Sequence, residues 1–220
     1  MAAQVMTKDR RQVELLEKNK PRQARAKRTY ESILAAAGEL LVDVGVERIS
    51  TNLIAERAGI TVPALYRYFP NKYSVLHALG AVLMDRQNLT YQKWVDSHLQ
   101  ADGVEGLVEN IQEVLKLVYD VTLAQTGGLE VSHALRAIAP LQQLRMTSHR
   151  IIAEWVQTLL SELLDRPSDE VVEMQSRLII EIAVSIVELA LENNAISAEH
   201  TLEEGANMLR AYVRQILATG

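Results

Sequence analysis

The sequence predicts an all-α protein, with a small three-helix head joined through a long helix to a larger helical body. Apolar residues recur three and four positions apart along most of the chain, and the strict alternation of a half-buried strand is absent. Glycine and proline are sparse, 10 and 5 in 220 residues, so few positions interrupt a helix. With 48% apolar and 23% charged residues, the chain can bury a substantial core.

Residues 1–22 show only a short Val13-Leu15-Leu16 cluster and read as a mobile basic arm. The first firm helix is expected from about Gln23 to Val44, with Ile33, Ala37, Leu40, Leu41 and Val44 on one face and Gly45 ending it. Ser50 or Thr51 caps a short helix through Arg57. After Gly59 a second short helix runs from Thr61 or Val62 to Tyr68, and its first turn tolerates Pro63. Asn71 caps a long helix towards Leu99. Further helices are expected at about Val104 to Leu123, Leu129 to Ile138, Leu141 to Leu164, Ser168 to Asn193 and Ala198 to Ala218. The expected division is an arm over 1–22, a head over 23–70 and a body over 71–220.

Charge separates the two ends. The formal net charge is −5, yet residues 1–80 carry about +5 and the remainder about −10. Six cations and no acid lie between Lys18 and Arg28, the signature of an end that faces a polyanion. The absence of cysteine excludes disulfides, thiolate metal sites and a cysteine nucleophile. The polar start (Lys8, Asp9, Arg10, Arg11) does not read as a secretory segment. The longest apolar stretch, Leu178 to Leu191, contains Glu181, Ser185 and Glu188, so no membrane span is expected and the location is read as cytoplasmic. Glu130 and His133 form a lone Glu-x-x-His with no second copy, and phosphate loops and a nucleophile elbow are missing. No enzymatic activity, cofactor, catalytic residue or metal site is therefore expected.

The segment from Thr51 to Phe69 has the spacing of a helix-turn-helix. Two short helices meeting steeply need a small residue at the crossing (Ala55), a residue tolerant of positive φ in the turn (Gly59) and an inward apolar anchor (Leu65). Ile54, Ala58 and Ile60 fill the other inward positions. Tyr66, next to Leu65, turns outward, whereas Tyr68 and Phe69 read as core.

The run Ile54-Ala-Glu-Arg-Ala-Gly-Ile-Thr-Val-Pro-Ala-Leu-Tyr-Arg-Tyr-Phe-Pro-Asn-Lys72, followed by Leu76, closely resembles the DNA-binding domain of TetR-family transcriptional regulators. Ile33-Leu34-Ala-Ala-Ala37, Leu40, Gly45 and Ser50-Thr51 match the same pattern, and the resemblance covers residues 27 to 77. It implies a homodimer, usually a repressor, that leaves a double-stranded operator when a small molecule binds the body. Residue by residue, it implies that Thr51, Tyr66 and Lys72 touch phosphate and that Thr61, Val62, Pro63 and Ala64 face base edges. Phosphate contacts position such a head and base contacts specify the sequence. Residues 61–64 hold no Arg, Asn or Gln to read a purine bidentately. Arg67 and Arg57 are the nearest fork donors, and DNA shape is expected to share the specificity. The Lys18 to Arg28 run, with Arg25, Lys27 and Arg28, either enters an adjacent minor groove or adds non-specific affinity only.

In the body, the helix from Ser168 carries two apolar lines, Val171-Met174-Leu178-Ile182-Ser185-Leu189 and Val172-Ile179-Ala183-Ile186-Ala190. With Leu209, Tyr212, Val213 and Ile216 of the last helix, they suggest a dimer through the last two helices; the resemblance implies the same four-helix bundle. The dimer set is Val171, Met174, Leu178, Ile182, Ile186, Leu209, Tyr212, Val213 and Ile216. Candidates for an effector pocket are Tyr91, Trp94, Tyr119, His133, Arg136, Arg145, His149 and Trp155. Scarce phenylalanine suits an aliphatic effector; a buried Arg136 or Arg145 would favour an anionic one.

Overall fold

Amphipathic helices too short to be stable alone must bury their apolar stripes against one another. The computed structural model describes residues 23–165, 167–192 and 195–219, and among them every regular element is a helix: α1 (Ala24–Arg48), α2 (Thr51–Arg57), α3 (Val62–Tyr66), α4 (Lys72–Glu109), α5 (Ile111–Ala124), α6 (Gly128–Ala137), α7 (Ala139–Leu163), α8 (Glu170–Leu191) and α9 (Ala198–Thr219). Residues 1–22, read from the sequence as a mobile arm, lie outside the described residues.

Local capping chemistry sets several of these boundaries. Ser50, Thr61 and Asp169 accept bonds from the first-turn amides of α2, α3 and α8. Asn71 forms a capping box with Ser74, the amide of Ser74 donating at 3.0 Å and the Ser74 hydroxyl taking the Asn71 amide at 3.3 Å.

Gly45 breaks α1 as expected: at φ 73° and ψ 169° it leaves the helical backbone, and only one further turn follows, to Arg48. The carbonyls around this kink have donors waiting, because Arg48 Nε donates to Val44 and the Lys72 ammonium donates to Val46, Glu47 and Ile49. Gly103, at φ 63° and ψ −154°, likewise breaks α4 where the sequence placed a boundary, and a further break that the sequence reading did not expect comes at Asn110. There the backbone amide and the side-chain Nδ2 both donate to the Gly106 carbonyl, at 3.1 and 2.8 Å.

The core of the head gathers Ile33, Ala37, Leu41, Ile54, Leu65, Phe69 and Leu83, and continues into Val131 and Leu135 of α6 and Leu141 of α7. Head and body thus share one core. At their joint the backbones touch. A Cβ on Gly38 of α1 would lie 2.6 Å from the carbonyl oxygen of Thr126, and one on Gly127 would lie 2.6 Å from that of Gly38.

The body packs α7, α8 and α9 against α4 and α5. The two lines of α8 separate as the helical period requires. Val172, Ile186 and Ala190 turn inward, while Val171, Met174, Leu178 and Leu189 stay exposed. Part of the expected dimer surface is corrected by this packing. Ile186 meets Gly205, Leu209 joins the core of α5, α8 and α9, Ile216 joins that of α7 and α8, and Val213 is buried beside them. Side chains buried within their own subunit cannot cover a partner. Ile182 and Tyr212 are half-buried, and Met208 is exposed on α9. Among the described residues no helix is long and apolar enough to cross a membrane.

Candidate nucleic-acid interface and inner cavity

The head places its candidate contacts on one short, well-fixed helix. Ala55 is buried where α2 meets α3, and Gly59 turns the chain at φ 66°. The Ile60 amide returns to the Ala55 carbonyl at 3.0 Å, and Leu65 is fully buried. With α3 anchored by Leu65, its other face points outward: Thr61, Pro63, Tyr66 and Arg67 are exposed and Val62 and Ala64 half-buried. The hydroxyls of Thr51 and Tyr66 stand 3.1 Å apart, although fifteen positions separate them. One hydroxyl donates to the other, which leaves the second proton for an outside acceptor.

Electrostatics favours an anion on this side. The first turns of α1, α2, α3 and α4 contain no acidic residue, whereas of the later helices only α7 lacks one there. The positive ends of the head helices are therefore uncompensated. Arg25, Lys27 and Arg28 are exposed at the start of α1, and among the described residues their one ion pair is a 3.9 Å approach of Lys27 to Glu31. Lys18 to Arg22 of the basic run lie outside the described residues.

Two cations are tied up differently than the sequence suggests. Arg57 donates to Asp43 at 2.8 Å and Glu39 at 3.1 Å, so its fork grips α1 and is withdrawn from base reading. The hydrogen bond to Asp43, then that to Glu39, raises its pKa further. Lys72 is the donor that caps the carbonyls after the Gly45 kink. Lys72→Gln is expected to lose about 1 kcal/mol of stability and leave the salt dependence of DNA binding unchanged. A log–log salt slope shallower by about one per protomer would put this ammonium on phosphate instead.

Behind the head, α4, α5, α7, α8 and α9 line a partly open cavity of about 180 Å³. Of the eight expected pocket residues, it brings together Tyr91, Trp94 and His149. The other five stand elsewhere, each for a packing reason. Arg145 lines a neighbouring hollow and pairs with Glu181 at 3.3 Å; Arg136 pairs with Glu188 at 2.5 Å. Tyr119 packs on the core of α5, α8 and α9, and His133 is exposed. Trp155 is 36% exposed and stacks on Tyr91 from outside at 6.3 Å. Sequence reasoning missed Gln87, Asn88 and Ser148, which also line the cavity. Gln87 could have been found, since it lies one helical turn before Tyr91 on the same face.

Polar groups on the wall are mostly satisfied. Gln87 donates to Thr122 at 2.8 Å and Ser148 to Asn88 at 3.0 Å. His149 Nδ1 meets Glu181 Oε1 at 3.1 Å. Burial pushes the His149 imidazole down against the pull of Glu181. Burial also pushes the Glu181 carboxyl up, but the bonds and charges of His149 and Arg145 hold it below the ordinary carboxylate value. Burial pushes the Tyr91 phenol up, keeping it protonated.

Known proteins share both halves of this arrangement. The family described as bacterial regulatory proteins, tetR family, matches residues 33–79, and a tetracyclin repressor-like C-terminal domain matches residues 105–217. The chain is 44% identical to the tetracycline repressor protein class C of Escherichia coli over 54 residues, 24% of this chain and 25% of that protein. It is 31% identical to the A-factor receptor protein of Streptomyces griseus over 106 residues, 48% and 36% of the two chains. The match thus spans about a quarter to a third of these curated relatives' length. The crystal structure of a TetR-family transcriptional regulator from Streptomyces coelicolor superposes with a TM-score of 0.54 at 29% identity, covering 86% of this chain and 99% of that one.

Proposed function

This chain belongs to the tetR family of bacterial regulatory proteins, and on that premise we propose that it is a repressor that holds a palindromic operator as a homodimer and releases it when a small molecule fills the body. In this reading, residues 23–70 form the DNA-binding unit, residues 71–220 the effector and dimer unit, and the protein works in the cytoplasm beside its DNA. The observation that carries it is the division of α3, with Leu65 fully buried and Thr61, Pro63, Tyr66 and Arg67 exposed. Thr51 and Tyr66 act together as one hydroxyl clamp on a phosphate. Thr61, Val62, Pro63 and Ala64 read the groove by small apolar contacts, such as thymine methyls, and by shape. Arg25, Lys27 and Arg28 add phosphate contacts, and Arg67 borders the groove.

The exposed stripe of Val171, Met174, Leu178 and Leu189 on α8, with Met208 on α9, is the surface that supports the dimer. A two-fold dimer calls for half-sites about one DNA turn apart.

The reading is tested by selecting duplexes from a random pool with wild type and Tyr66→Ala at two salt concentrations. Wild type should enrich one palindrome and the variant should lose most of that enrichment. Equal capture of DNA by both, without sequence preference and with a steep salt dependence, would sink the assignment.

A further inference from the structure

The cavity's own chemistry narrows what it can hold, on the reading above that the body receives a small molecule. Apart from Gln87, Asn88, Tyr91, Trp94, Ser148 and His149, every lining side chain is aliphatic, and none is a carboxylate, ammonium or guanidinium. Arg145 and Arg136 beside it are paired with Glu181 and Glu188. A charged guest would leave water for a wall with nothing to pair it.

His149 supplies direction. Glu181 can only accept, so the 3.1 Å contact puts the proton on His149 Nδ1. Arg145, which also lies 3.3 Å from Nδ1, directs its donor to Glu181 Oε2 at 3.3 Å instead. Nε2 is then the ring's acceptor, and the ring lines the cavity as well as two neighbouring hollows. The buried imidazole stays neutral at pH 7, so this lone pair persists. An apolar cavity of about 150 Å³ holds benzene, so this partly open one of about 180 Å³ has room for a ring with a short substituent.

We propose that the cavity takes an uncharged lipophilic molecule of about ten heavy atoms that carries a hydroxyl group, whose hydrogen is donated to Nε2 of His149. The aliphatic wall holds the remainder, and an anionic guest is disfavoured.

A matched series tests this on the full chain: 4-propylphenol, propylbenzene and 4-propylbenzoate. Binding is read by calorimetry and by Trp94 fluorescence in a Trp155→Phe background, since the chain has two tryptophans and only Trp94 lines the cavity. 4-Propylphenol should bind roughly tenfold tighter than propylbenzene, the size of one good hydrogen bond, and 4-propylbenzoate weakest. His149→Leu should equalise the two neutral compounds while still binding propylbenzene, which also shows that the cavity is intact. His149→Gln, which keeps a donor for Glu181 and an acceptor for the hydroxyl, should restore part of the preference. Tightest binding of 4-propylbenzoate, survival of the phenol preference in His149→Leu, or absence of any binding would overturn the proposal. Adding 4-propylphenol to the selected operator complex separates the two ideas. Binding without release would overturn the effector role and leave the cavity chemistry standing.

Discussion

Phe69→Ala is expected to cost about 3–5 kcal/mol of stability and to abolish operator binding with it. Phe69 is the chain's only phenylalanine, is fully buried, and lies against the Tyr30 ring at 5.2 Å between centroids. It sits in the turn that follows α3, and its amide closes that turn onto the Leu65 carbonyl at 3.0 Å. Removing the ring opens a void at the point where α3 is held to α1. The whole protein commands only about 5–15 kcal/mol, so the loss takes a large share of it. The same core continues into α6 and α7, so loosening spreads past the head. Urea unfolding followed by circular dichroism measures the effect. Tyr66→Ala is the control, since that side chain is 43% exposed, and it should stay within about 0.5 kcal/mol of wild type. A loss below about 1 kcal/mol for Phe69→Ala would mean that the head collapses around the gap and that α3 is positioned by something else.

Replacing Arg25, Lys27 and Arg28 together with alanine should weaken operator binding roughly a hundredfold or more at physiological salt. It should also flatten the log–log salt slope by up to about five per dimer. These cations crowd the positive end of α1 with no acid in its first turn. In the free protein that is mildly unfavourable, and an arriving phosphate reverses the sign. Folding should be unaffected, because all three side chains are exposed. Binding measured over a salt series on the selected operator decides it; an unchanged slope would remove these residues from the interface. The selected sequence answers a further question. If flanking A·T preference vanishes in the variant, the basic run reads a minor groove; if the preference is unchanged, it contributes attraction alone.

What was legible in the sequence was local. Ser50, Thr61 and Asn71 begin their helices, and Ala55, Gly59 and Leu65 fix the corner, because each obeys a rule about its own few neighbours. The two lines of α8 were legible for the same reason, since a helical period assigns faces without reference to the rest of the chain. Partnership across the fold was not. Arg57 looks like a free fork until α1 brings Glu39 and Asp43, 18 and 14 positions away, against it. Lys72 reaches carbonyls up to 26 positions upstream, in the turn that follows the break at Gly45. Arg136 and Arg145 were plausible anion receptors until Glu188 and Glu181 turned out to hold them. On α9, Leu209, Val213 and Ile216 show an apolar face, and nothing in the period says whether that face meets its own subunit or another.

The bare-backbone joint between Gly38 and the Thr126-Gly127 turn has a consequence for building hybrids. Regulators of this architecture invite recombination, with one reading head grafted onto another sensing body. Here the graft line passes through a place where neither position 38 nor position 127 has room for a side chain. A foreign body with a β-carbon at the position of Gly127, or a foreign head with alanine at that of Gly38, would wedge the seam open before any sensing began. Compatible parents for such chimeras are therefore those in which both sides of this seam are glycine, whatever their similarity elsewhere.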